Sequence, residues 1–189
     1  MKNKIGIFLV LSLVLVYCEA YGQKDTIKVI TGAICNKKKK ISFQGKAQTS
    51  NDYIIFYNNI TPKLNSLVLN KTQFYGQNFS NFYNELQNKG TNIIFFLYSP
   101  KVIPGTEYYV LDLRFMENRI WSVGIDNSFQ IPFISITFKS EIPPQIDQLS
   151  AQSHGRWSYD IAQFFANMKI ESIRFIGLNG YDSTDNSLK

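Results

Sequence analysis

The sequence predicts an α+β fold: a single antiparallel, meander-rich β-sheet with two short amphipathic helices packed on one face. Three observations carry this. Tyr109, Leu111, Leu113 and Phe115 alternate with Tyr108, Val110, Asp112 and Arg114, the two-residue period of a strand with one buried face. Ile161, Phe164, Phe165 and Met168 fall at i, i+3, i+4 and i+7, the period of a helix with one apolar stripe. Strand-like runs come first, then a helix, then four or five strands with one late helix, an order that segregates helices from an antiparallel sheet.

The first segment is expected to lie outside the fold. Lys2 and Lys4 precede an apolar run at 5–17, and Ala20 and Gly22 place small residues ahead of Gln23. A run of about 13 residues is shorter than the roughly 20 needed to span a bilayer as a permanent helix, so 1–22 reads as a secretory signal peptide cleaved between Gly22 and Gln23. Acylation of Cys18 is the alternative, and bulky Tyr17 just before it argues against that. The expected destination is secreted or periplasmic. What remains is one globular domain at 23–180 and a tail at 181–189. That mature chain has 18 basic and 13 acidic residues, a formal charge of +5, and its length suffices for one real core. Cys35 then has no intramolecular partner and reads as a buried thiol, with an intermolecular bridge as the sharper alternative.

Along the mature chain, 26–33 reads as a first strand and 41–43 as the start of a second. Lys37, Lys38, Lys39 and Lys40 repel one another and belong in water at the tip between them. At about 1 kcal/mol per lysine near an anionic surface, the cluster could make only weak contact with a membrane. It lacks the arginine forks and stacking aromatics that would point to nucleic acid. The aromatic run 52–57 reads as a strand, with a turn at 58–62 and a short apolar stretch at 67–69. Ser80 opens a helix over 80–89, with Phe82, Tyr83 and Leu86 on one side and Gly90 after the last turn. The nearly continuous apolar run 92–98 suits a strand buried on both faces, the expected sheet centre.

A three-stranded meander is expected over 107–139. Its first strand ends near Phe115, Glu117 and Asn118 turn it, 119–125 returns, and 129–139 follows a turn at 126–128. Pro143 and Pro144 end it. Ser158 then caps the late helix, with Asp160 in the first turn where the dipole favours negative charge. The last strand is 170–178, and 181–189, with no periodic apolar residue, is expected to fray.

Catalytic chemistry is sparse. The single histidine, His154, lies beside Ser153 and Arg156, but nucleophilic catalysis needs a base and an orienting group converging from different places. One histidine and one cysteine cannot supply a zinc or copper ligand set, and the oxygen-bearing loops at 126–128 and 182–186 lack calcium-loop spacing. No metal and no cofactor are expected. Glu107, Asp112 and Glu141 are the candidates for a carboxylate pair, which glycoside hydrolysis requires roughly 5 to 10 Å apart. Aromatic residues make up 15% of the chain, more than a core of this size needs. Trp121, Tyr108 and Trp157 are therefore the candidate binding residues, because such side chains suit protein contacts or sugar stacking. The expected function is an exported, non-enzymatic binding or interaction module whose partner is a protein or carbohydrate of the cell envelope. The alternative is a carboxylate-dependent hydrolase acting on a polysaccharide.

Overall fold

The computed structural model describes residues 48–102 and 105–189. The expected leader, both cysteines, the first two expected strands and the cluster Lys37, Lys38, Lys39 and Lys40 lie outside them. The described elements run α1 (Ser50–Val68), a 3-10 turn (Lys71–Phe74), α2 (Phe79–Asn88), β1 (Phe95–Pro100), β2 (Tyr108–Arg114), α3 (Asn118–Asp126), β3 (Phe133–Phe138), α4 (Gln145–Ser153), α5 (Tyr159–Phe165) and β4 (Ile170–Ile176). The strands form one sheet in the order β1-β2-β3-β4, every neighbouring pair antiparallel. The fold is α+β with a single antiparallel sheet. It carries five described helices where the sequence pattern indicates two.

The first unexpected helix is α1, which replaces the strand at 52–57 and the turn around Pro62. Its start is a capping box: Asp52 N–H donates to the Thr49 hydroxyl, and the Asp52 carboxylate accepts from Thr49 N–H at 2.7 Å. Tyr53, Tyr57, Ile60, Leu64 and Leu67 then form one buried stripe at helical spacing. Pro62 stays inside the helix on its exposed side. The second is α3, which replaces the strand expected at 119–125. Here Gly124 lets the helix approach α1 so closely that a Cβ would lie 2.6 Å from the Tyr53 ring.

The sheet has one apolar face. Phe96, Leu113, Ile134 and Phe175 stand side by side across the four strands, as do Tyr98, Leu111, Ile136 and Ile173. These residues share a core with Leu64 of α1, Phe79 and Phe82 of α2, Ile146 of α4 and Phe165 of α5. A second cluster joins Tyr53, Tyr57 and Met116 to Ile120, Trp121 and Val123 around α3. The alternation in β2 is broken near its start. The register slips between Ser99 and Pro100, so Pro100 faces Tyr108 and Tyr109 becomes the extra residue of a bulge. Tyr108 therefore packs edge-on against Tyr98 at 4.9 Å, while the Tyr109 hydroxyl donates to Glu107 at 3.0 Å on the surface.

β1 is an edge strand, not the sheet centre. Its continuous apolar character comes from cover along that edge: Phe96 N–H donates to Gly155 O at 2.9 Å and Trp157 N–H to Ile94 O at 2.9 Å. The opposite edge is closed in the same way. Gly76 and Gln77 bond to Ile170, and Lys189 exchanges both backbone bonds with Phe175 at 2.8 and 3.0 Å. The last residues, expected to fray, are thus tied down. The Gln130 amide adds bonds to Ser183 O, Asp185 O and Asn186 Oδ1, and Asn179 donates to Asp185 O and Ser187 O.

Candidate functional site

The second face of the sheet is the more polar one, carrying charged residues among apolar ones, and its residues fall in rows. One row crosses the strands as Arg156, Phe95, Arg114, Phe133 and Ile176. The next runs Leu97, Asp112, Ser135 and Arg174. Leu97 and Arg174 reach solvent, and Phe95, Arg114, Phe133 and Ile176 are half-buried. Three of the four arginines in the sequence stand in these two rows. The Arg114 guanidinium lies over the Trp121 ring at 3.6 Å, and that of Arg156 over Phe95 at 4.8 Å, both stacking arrangements that suit the planar guanidinium. Arg156 also grips Glu117 with two bonds, at 3.2 and 3.0 Å. Both partners are about half exposed, so the pair contributes no more than about 1 kcal/mol.

Asp112 is the carboxylate in this setting. Burial pushes its pKa above the ordinary 3.8, and the Ser135 hydroxyl and the charges of Arg114 and Arg174 pull part of the way back. Arg114 is shifted downward by its own desolvation, partly offset by Asp112. Asp112 Oδ1 and Arg114 Nε are both buried without a hydrogen-bond partner, an unfavourable state for polar atoms. A carboxyl whose pKa rises on folding binds its proton more tightly in the folded state. Its contribution is therefore most favourable below 3.8 and is lost as pH climbs through the raised folded value. Asp112→Asn is accordingly expected to be more stable than the unchanged chain at neutral pH, with the gap closing toward pH 3.8 and below. Urea unfolding midpoints across that range provide the check.

The expected site residues do not come together as one group. Trp121 touches Arg114, whose row lies beside the one that holds Asp112. Tyr108 packs at the core margin against Tyr98. Trp157 is half-buried in the core, its ring parallel to Phe165 and edge-on to Phe79 and Phe96, and its Nε1 has no partner. Glu107 and Glu141 both act on Tyr109, raising its pKa mainly through the Glu107 hydrogen bond, and neither is among the groups acting on Asp112. Ser153, His154 and Arg156 do not converge. Ser153 donates to Ser150 O, and Arg156 turns to Glu117. His154 ends α4 in the left-handed conformation, a helix-capping role.

Sequence reasoning missed the arginine rows, although the scarcity of arginine and its placement at polar strand positions was a usable signal. It also missed a hollow of about 390 Å3 at the end of the polar face. Ser128, Asp182, Ser183, Thr184 and Asn186 supply its polar lining, and Phe133 and Ile176 continue into it from the arginine row. Ser128 holds a positive φ of 57° at its rim. Among the described residues, no group of three or more His, Cys, Asp or Glu is placed to hold a metal ion, and no helix is long and apolar enough to cross a membrane. Comparison with known proteins gives no match: no family model, no curated sequence and no solved structure aligns with this chain.

Proposed function

We propose that the chain is an exported, non-enzymatic binding module and that it binds through the polar face of its sheet. The observation that carries this is the concentration of three of four arginines in two adjacent rows, Arg114 stacked on Trp121, Arg156 on Phe95, and Arg174 exposed to solvent. Stacking fixes a guanidinium plane while leaving its N–H groups free to bond, and arginine and aromatic residues are enriched where binding energy concentrates. Export rests on the basic and apolar leader ahead of Gln23. The alternative, a carboxylate-dependent hydrolase, draws its support from the raised pKa of Asp112. It would need a second carboxylate acting opposite Asp112, where Ser135, Arg114 and Arg174 stand.

The test is a panel of envelope saccharides and peptides titrated against the chain and its Arg174→Glu variant. One or more ligands are expected to bind saturably. The variant should lose about tenfold or more in affinity, the worth of one charge-assisted hydrogen bond, with an unchanged melting temperature because Arg174 is exposed. No ligand in the panel, or binding indifferent to Arg174, would sink the reading. Turnover of a saccharide abolished by Asp112→Asn would replace it with the hydrolase.

A further inference from the structure

Resting on that binding reading, we infer that the ligand is an acidic oligosaccharide. One sugar ring sits in the hollow, and the carboxylate of a neighbouring ring is held by Arg174. The hollow is the right kind of space. At about 390 Å3 it falls within the range of small-ligand sites. Its lining combines the apolar side chains of Phe129, Phe133 and Ile176 with hydroxyl, amide and carboxylate groups from Ser128, Thr184, Asn186 and Asp182. A sugar ring presents the same combination, with C–H groups on its faces and hydroxyls around its rim.

The hollow is also held in shape before any ligand arrives. Gln130 fastens 183–186 by three bonds, and the tail closes on β4 through Lys189. A preformed site loses less conformational freedom on binding. The acid belongs outside it, because Asp182 repels an anion in the hollow while accepting from hydroxyls. Next to the hollow, Phe133 separates Arg114 from Ile176, and Ser135 separates Asp112 from Arg174. Of the three arginines in these rows, Arg156 is already engaged by Glu117. Arg114 is stacked on Trp121 with its Nε buried, which leaves Arg174, exposed and with only a long 3.4 Å contact to Ser135, as the available cation.

A peptide fits the same charge less well. Extended peptides gain affinity by adding a strand to an open sheet edge. Here Gly155 and Trp157 occupy part of the β1 edge, and Gly76, Gln77 and Lys189 occupy much of the β4 edge. The polar face offers side chains rather than main-chain bonds.

The full chain is titrated by calorimetry with tetragalacturonate, maltotetraose and tetraglutamate at low salt. The galacturonate should bind at least about tenfold more tightly than the neutral sugar, and Arg174→Ala should remove that preference. Asp182→Ala should weaken both saccharides, and both variants should melt like the unchanged chain, since each residue is exposed. Equal affinity for maltotetraose would overturn the acid assignment. Binding of tetraglutamate alone would overturn the sugar assignment and leave the binding reading standing. Failure of all three probes would also overturn the inference, and the binding reading falls with it only if the wider panel yields no ligand either.

Discussion

Gly177→Ala is expected to destabilise the fold by about 3 kcal/mol or more, the sum of a backbone and a contact effect. Gly177 has φ of 70°, where an L-residue is unfavourable by roughly 1–2 kcal/mol. A Cβ there would lie 2.2 Å from Ile131 O and 2.5 Å from the Ile131 carbonyl carbon. Both are backbone atoms, so no side chain can swing aside, and the entry to β3 would have to move. The same corner is fixed from below: the Tyr57 hydroxyl donates to Gly177 O and accepts from Gly180 N–H, each at 2.9 Å. A shift of this turn breaks both bonds. Gly90→Ala supplies the control, since Gly90 has φ of 65° and nothing within 4 Å of its would-be Cβ. Its expected loss is the backbone effect alone, roughly 1–2 kcal/mol. Urea unfolding of the two variants separates the contributions. Equal losses would mean that the close approach of Gly177 to Ile131 contributes nothing. Because Gly177, Ile131 and Phe133 all border the hollow, the variant should also lose whatever ligand the hollow holds.

The elements legible in the sequence were those in which one period dominated. The alternation of β2 and the stripe of α5 each leave a single way to bury the apolar side chains, and Ser158 does cap α5, accepting from Ile161 N–H. In α1, Ile54, Ile55, Phe56 and Tyr57 have the composition of a strand and Pro62 that of a turn. The helix appears only when the stripe is followed as far as Leu67, and the Thr49 and Asp52 capping box was the overlooked signal. In α3 the deciding contact is Gly124 against Tyr53, more than sixty positions away in sequence. An error of this kind carries into the site. Asp112 and Arg114 could be placed on one polar face from alternation alone. That Trp121 stacks on Arg114 depends on α3 being a helix, because a returning strand would have placed Trp121 in the sheet. The hollow was illegible for a related reason. Ser128 and Asp182 belong to loops with unremarkable composition, and long-range contacts, the bonds from Gln130, the Phe129–Tyr181 ring contact and the pairing of Lys189 with Phe175, hold the second loop beside the first.

Phe165→Ala is the other large expected effect, a loss of about 3–5 kcal/mol, as for buried phenylalanines generally. The magnitude follows from its surroundings. The ring is fully buried. It lies parallel to Phe138 at 5.7 Å and to Trp157 at 6.4 Å, and edge-on to Phe79 at 6.1 Å and Phe96 at 6.4 Å. Those partners come from α2, β1, β3 and the segment before α5, so no single element can relax into the space left behind. Domains are typically stable by only about 5–15 kcal/mol, which makes this a large share of the total. At about 4 °C per kcal/mol for a domain of this size, the melting temperature should fall by roughly 12–20 °C. Phe164, half-buried beside it, should lose much less on the same change. The experiment also decides between two roles for Trp157. As a wall of the core it should show a red-shifted emission in a Trp121→Phe, Phe165→Ala chain, because the cavity loosens its packing. A tryptophan serving as a surface platform would emit at the same wavelength with or without Phe165, and that result would return Trp157 to the binding surface.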